Sequence, residues 1–205
     1  MKIKSATFGQ LQNNCYLVTD EVSGYSALVD CTEYSQKMTA FLGDAKLKYI
    51  LLTHGHFDHI GGVAALKAAT GAQVVISKED APMLTSARKS LAAFSFVSQE
   101  PTEADVLVQD GDTVALGDTV FTVIATPGHT PGGVCYVTGD TLFSGDTLFF
   151  CSCGRTDFPG GNSKQIMESL QKLAALPGDY KVYPGHDRFS TMNFERQHNP
   201  YMKKL

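Results

Sequence analysis

Long apolar runs are missing from this chain of 205 residues: the longest are only a few residues, far short of the roughly 20 that cross a bilayer. The first residues, Met1 to Phe8, lack the apolar core of a signal peptide, so export is not expected. Basic clusters are missing too. Lys and Arg number 17 against 21 Asp and Glu, giving a formal net charge of −4 and an isoelectric point near 5.8. That balance argues against a phosphate backbone as partner, because nucleic-acid binders concentrate positive charge. Cysteine is scarce: five residues, an odd number with no CxxC pair, which argues against a disulfide framework. Reduced thiols in a cytoplasmic protein are the expectation. No low-complexity or linker-like stretch interrupts the chain, so one domain over 1–205 is expected. A hydrophobic share of 43% and a charged share of 19% are ordinary for a soluble fold with a full core.

What the chain does have is a dense cluster at 53–62, Thr-His-Gly-His-Phe-Asp-His-Ile-Gly-Gly. Tyr49, Ile50, Leu51 and Leu52, with Leu47 at one remove, lead in as a buried strand, and Val63 to Ala69 lead out as a helix. Between them, His54, His56 and His59 stand with Asp58 inside six residues. Neutral imidazoles and a carboxylate are the donors that borderline divalent cations prefer. If the segment stays extended to Phe57, His54 and His56 face the same side and can grip one ion. Asp58 and His59, adjacent and past the turn, then face a second. Stray histidines on a polar turn are the bland reading. The density of donors in a strand-then-helix context outweighs it.

The rest of the chain supplies a frame and more donors. Strands are expected at 2–8, Cys15 to Val18 and Tyr25 to Val29, with Asn13-Asn14 as a turn signal and Asp30 closing a strand at a loop. The pattern predicts helices over 34–43, 79–93 and 162–176, and a short final helix in Met192 to Leu205; Gly71 suits a helix C-cap. A strand-rich stretch spans 105–137. Thr126-Pro127-Gly128-His129 repeats the frame of Thr53-His54-Gly55-His56 at the end of another apolar strand, and Gly132-Gly133 echoes Gly61-Gly62. Thr141 to Ser144 ends at Asp146, and Lys181 to Tyr183 ends at His186. Four strand ends thus present His or Asp. Sheets in the middle with helices outside are the expected layering.

The series His54, His56, Asp58, His59, His129, Asp146 and His186 resembles the signature of the metallo-beta-lactamase superfamily. Two further stretches resemble its glyoxalase II-like hydrolases: Ser144-Gly145-Asp146-Thr147-Leu148-Phe149 and Gly154-Arg155-Thr156-Asp157-Phe158-Pro159-Gly160-Gly161. The resemblance implies an α/β (α+β) fold, an αββα sandwich of two mixed β-sheets flanked by helices. It implies two divalent metal ions, zinc first, with iron and manganese as alternatives. His54, His56 and His129 would hold one ion; Asp58, His59 and His186 the other; Asp146 would bridge them. Asp30 would orient a ligand by hydrogen bonding. A metal-bound hydroxide would attack a thioester such as a hydroxyacylglutathione or another small acylthiol, with Asp58 orienting the water.

Departures from glyoxalase II narrow this. The chain is expected to lack the C-terminal helical extension that supplies much of the glutathione site, since 19 residues follow His186. Arg155 stands where that enzyme has a substrate-contacting lysine, and Asp157 where it has a tyrosine. Arg155 is therefore read either as a substrate-binding cation or as the ion-pair partner of Asp157. The rival activity is a mononuclear iron persulfide dioxygenase acting on a glutathione persulfide, which shares the Gly-Arg-Thr-Asp-Phe segment and would use His54, His129 and Asp146. A non-enzymatic structural or sensory metal centre is the third reading, weakened by the number of donors shared between two ions. Cys151 and Cys153 are read as small loop residues rather than ligands, and His198 as a surface residue.

Overall fold

The computed structural model describes residues 1–203. One sheet carries β1 (Lys2–Phe8), β2 (Asn13–Thr19), β3 (Tyr25–Val29), β4 (Lys46–Leu51), β5 (Gln73–Ser77) and β6 (Val106–Val108), in that spatial order. The first three are antiparallel, and β3 to β6 run parallel. The other sheet carries β7 (Thr113–Leu116), β8 (Thr119–Ala125), β9 (Val134–Thr138), β10 (Thr141–Gly145), β13 (Lys181–Pro184) and β14 (Ser190–Thr191). Its spatial order is β14-β13-β10-β9-β8-β7. A two-stranded hairpin of β11 (Leu148–Phe149) and β12 (Ser152–Cys153) stands apart.

Alternation along the strands explains the layers. Tyr16, Val18, Leu51 and Val75 point inward against Val114, Phe121, Tyr136 and Phe143 of the opposite sheet. Their neighbours Cys15, Leu17, Ile50, Leu52, Val74 and Ile76 point outward into a second apolar layer. That layer is completed by α1 (Gln36–Leu42) and α3 (Val63–Thr70), through Met38, Leu42, Val63 and Leu66. On the far side, α4 (Ser163–Ala174) and α5 (Met192–His198) bury Leu170, Leu173 and Met192 against Leu142 and Val182. Strands buried on both faces read as unbroken apolar runs, which is why β4 stood out in the sequence. The arrangement is the expected αββα sandwich, of α/β class.

Local chemistry sets the ends of the helices. The Asn162 side chain accepts from the amides of Lys164 and Gln165 at the start of α4, and Ser35 does the same for Met38 in α1. Gly71 closes α3 in the left-handed region, φ 71°, as expected. The final helix covers Met192–His198; the last two positions of the expected tail lie outside the described residues.

Two expectations fail. No α-helix forms over 79–93; that segment holds only short 3₁₀ turns at Ala81–Met83 and Ala92–Phe94. The Gln99 amide takes the carbonyls of Met83 and Leu84 (2.8 and 3.0 Å), and Leu91 sits at φ 68°. Side chain–backbone bonds have here displaced the helical ladder that spacing alone suggested. Asn13-Asn14 is not a turn either. Both residues are buried at the start of β2, and the turn lies just before, at Gly9 to Gln12. Asn14 Nδ2 donates to the carbonyls of Pro184 and Asp187, so its polar group is spent tying the sheets together.

Candidate metal centre

All the candidate donors gather at one edge of the sandwich, where β3, β4, β8, β10 and β13 reach their carboxyl ends. The chain stays extended through His56, which caps the short helix α2 (Phe57–Ile60) at φ −71° and ψ 149°. His54 and His56 therefore precede the helix, while Asp58 and His59 ride on it. Donor atoms of His54, His56 and His129 lie within 4.8 Å of one another. The same limit holds for Asp58, His59 and His186, and for His54, His59 and Asp146. Every histidine and carboxylate of the expected ligand set converges. His198 stands apart, exposed and stacked on Phe194 at 4.3 Å between ring centroids.

Three of the rings have one nitrogen committed to the protein outside the cluster and the other turned inward. His59 Nδ1 donates to Asp30 Oδ2 (2.8 Å), His129 Nδ1 to the Arg155 carbonyl (2.7 Å), and His186 Nδ1 to the Leu11 carbonyl (3.0 Å). This fixes ring orientation and tautomer, as outer contacts do around metal-binding imidazoles. Asp30 does more. Its Oδ1 accepts from the Thr53 amide (2.9 Å) and its Oδ2 from the Thr53 hydroxyl (2.8 Å), so one buried carboxylate orients both the turn and His59.

The inward atoms are short of partners. His54 Nε2, His56 Nε2 and Asp146 Oδ1 are buried with no hydrogen bond. His129 Nε2 approaches His56 Nδ1 at 2.9 Å. A proton or a cation between the two rings satisfies that contact. Burial and the neighbouring imidazoles hold His54 well below the usual histidine value; burial and His129 take His56 down to about 3. These rings are neutral donors at neutral pH. His59 is the opposite: burial alone would lower it, but Asp146, Asp30 and Asp58 push it well above its ordinary value. Burial would raise Asp58 and Asp146, yet the facing imidazoles hold both below the usual carboxylate range. Buried carboxylates beside the neutral rings of His54 and His56 leave an under-satisfied pocket, and divalent cations fit that donor set.

Gly185 belongs to this geometry. A Cβ there would overlap Asp146 Oδ1 and come within 2.8 Å of His59 Cε1, so only glycine lets β13 pass this close. Three contributors escaped the sequence reading. Asp80 accepts from the Gly55 amide (3.0 Å), the Thr130 hydroxyl (2.7 Å) and the Gly132 amide (2.8 Å), clamping the two histidine turns together. The Asn13 amide lies 2.7 Å from His59 Nε2. Leu11, on the β1–β2 turn, anchors His186 through its main chain. No local motif marks them, because each acts across a long sequence separation.

Arg155 is taken up by a bidentate pair with Asp157, 2.6 Å on each arm, and lies 4.1 Å from the centre of the Phe158 ring. Both pair members are largely exposed at the rim. Cys153 lines the pocket, and burial pushes its thiol up, away from the thiolate a metal would take. The pocket itself is a cavity of about 530 Å³ open to solvent, walled by Leu11, Phe57, Phe149 and Phe158 around the donors.

Residues 8–186 match the sequence model of the metallo-beta-lactamase superfamily. The chain belongs to that superfamily. Among relatives, the hydroxyacylglutathione hydrolase of Rhodopseudomonas palustris strain HaA2 is 39% identical over 175 residues; the match covers 84% of this chain and 61% of that protein. The BLEG-1 B3 metallo-beta-lactamase structure superposes with a TM-score of 0.90 at 30% identity, covering 98% and 99% of the two chains. ETHE1 from Myxococcus xanthus gives 0.80 at 35% identity, with 98% and 84% covered. TTHA1623 in a di-iron-bound form gives 0.85 at 34% identity, with 97% and 99% covered. The superfamily includes metal-dependent hydrolases, and this chain carries a His/Asp cluster able to hold divalent ions. No helix among the described residues is long and apolar enough to cross a membrane.

Proposed function

We propose that this protein hydrolyses a small acylthiol, a thioester such as a hydroxyacylglutathione, at a two-metal centre. The observation that carries the reading is the convergence of seven imidazole and carboxylate side chains with inward atoms left unpartnered, beside a solvent-open pocket. His54, His56 and His129 would hold one ion, Asp58, His59 and His186 the other, with Asp146 between them. Bound ions of this kind bring the pKa of coordinated water from about 15.7 toward 7 and polarise a carbonyl. Zinc suits the imidazole and carboxylate donors, and iron or manganese would satisfy the same set.

The chain's own residues supply orientation and proton handling. Asp58 is ionised, faces the pocket and has its Oδ2 3.2 Å from His186 Nε2. It can hold a hydrogen of the attacking water and take its proton as the acyl carbonyl is attacked. Asp30 keeps His59 in register, and the Leu11 carbonyl keeps His186 aimed inward. Arg155 would serve a carboxylate on the thiol half only by sharing its charge with Asp157. The test is direct: metal-replete protein, S-lactoylglutathione and a panel of other acylthiols, with free thiol released as the readout. No thiol release from any of them overturns the reading.

The persulfide dioxygenase is the second reading, favoured by the Gly154–Phe158 segment and the likeness to ETHE1. It would need one iron on His54, His129 and Asp146. Elemental analysis with oxygen uptake on glutathione persulfide separates the two: two zinc ions and no uptake for the hydrolase, one iron and uptake for the dioxygenase.

A further inference from the structure

A second cavity of about 450 Å³ lies against the catalytic pocket and shares Leu11, Phe57 and Asp58 with it. Beyond that junction it is lined by Glu33, Ser95, Phe96 and Val97, and neither Arg155 nor Phe158 lines it. Its character differs from the first pocket. The walls are mainly apolar, no lysine or arginine lines it, and two carboxylates do, Asp58 and Glu33. Glu33 Oε1 accepts from the Ser35 hydroxyl at 2.7 Å, which keeps that carboxylate at the rim. Phe96 is fully exposed, and Val97 and Leu11 are 41% and 55% exposed. Exposed apolar side chains grouped around a cavity mark a surface that gains by being covered.

Resting on the thioesterase reading, we propose that this cavity is the acyl-chain subsite and that the preferred acyl group is an uncharged aliphatic chain of medium length. A carbonyl placed over the donor cluster has two ways out. The thiol half meets Arg155, Asp157 and Phe158 on one side; the acyl half enters between Leu11 and Phe57 on the other. Charge decides against an anionic acyl terminus there: beyond Asp58, which holds an ion in this reading, the lining offers the Glu33 carboxylate and no lysine or arginine. Size decides against a very short one. A cavity of about 450 Å³ falls within the roughly 300–1,000 Å³ that hosts drug-sized ligands, leaving a two-carbon group with most of the space wet. Each further methylene buried against Phe96 and Val97 then favours binding about three- to fourfold.

The experiment is a chain-length series of N-acetylcysteamine thioesters, acetyl to octanoyl, with metal-replete protein. The small neutral thiol holds the other half constant. The expected result is a kcat/KM that climbs about three- to fourfold per methylene, carried mainly by KM, and a fall in the octanoyl-to-acetyl ratio of at least tenfold in Val97→Asp and Phe96→Asp. Both positions are exposed, so the fold tolerates the change. A flat or falling length series, or a ratio unmoved in both variants, overturns the subsite while leaving the thioesterase standing. If no thioester is cleaved, the thioesterase fails first. Equilibrium dialysis of the S-octyl and S-ethyl thioethers of N-acetylcysteamine then judges the cavity alone: tighter S-octyl binding lost in Val97→Asp supports it, and equal binding ends it.

Discussion

Two turns of similar sequence meet at the candidate metal centre, and they are built differently. Thr53-His54-Gly55-His56 follows β4, and Thr126-Pro127-Gly128-His129 follows β8. Under the first lies a buried carboxylate: Asp30 binds the amide and hydroxyl of Thr53 and the ring of His59. Under the threonine of the second lie neutral groups, with Asp80 reaching only the residues past His129: the Thr126 hydroxyl meets that of Thr147 at 2.8 Å and the Cys135 sulfur at 3.3 Å. The first turn continues into a short helix and delivers four donors; the second delivers His129 alone. A fixed negative charge beneath the donors keeps a ring such as His59 basic and aimed, whereas hydroxyls only hold backbone in place. Multiplicity of ligands goes with the charged foundation.

Substitutions that remove the donors themselves produce the largest effect, and they set the scale for the comparison. Asp146→Ala, and Gly185→Ala through overlap with Asp146 and His59, should abolish bound metal and turnover together, read by elemental analysis beside circular dichroism. Asp30→Asn comes next, with an expected loss of about 10- to 100-fold in metal affinity or kcat/KM. Thr147→Val is the matched change under the second turn. It should cost about 0.5–1.5 kcal/mol of stability by leaving the Thr126 hydroxyl with only the Cys135 sulfur, with kcat/KM within about threefold of the parent. If Thr147→Val damages turnover as severely as Asp30→Asn, the charged-versus-neutral distinction is wrong. Asp80→Asn tests the clamp between the two turns and should fall between those two variants.

The smallest effect is expected at Asp20, a control carboxylate away from the metal. Its Oδ2 accepts from the Ser23 amide and hydroxyl, and its Oδ1 from the amide and hydroxyl of Thr119, joining the two sheets. The Ser23 bonds, helped by Thr119, hold this carboxyl well below its ordinary value of 3.8. A depressed carboxyl stabilises the fold above its unfolded value, and the gain is lost as pH falls through the folded one. Asp20→Asn should therefore lower Tm at pH 7, with the gap to the parent closing as pH drops below about 4. A gap that widens in acid would reverse the assignment.

The layers and the candidate donors were legible in the sequence because both follow short-range rules. Strands buried on two faces show as unbroken apolar runs, and β3 falls over Tyr25–Val29, as its pattern implies. His54 through His59 declare themselves by density, and His129, Asp146 and His186 by standing just past strand ends. What escaped has a different physics. Asp80 sat in a segment whose spacing looks helical, yet its role arises from bonds to residues 25 and 52 positions away. Asn13 and Asn14 carry turn chemistry by type, but burial turned their amides to His59, Pro184 and Asp187. Arg155 left two readings open, and only the coordinates place its guanidinium on Asp157.

The carbonyl of Leu11 ties the β1–β2 tip to a ring of the cluster. It belongs to a four-residue tip between two strands, the kind of place where insertions and exchanges are cheap, yet it steadies the imidazole of His186 from 175 positions away. Grafting a foreign tip there would reshape the entrance and also slacken a donor, so swapped hairpins should trade selectivity and reactivity jointly, never one at a time.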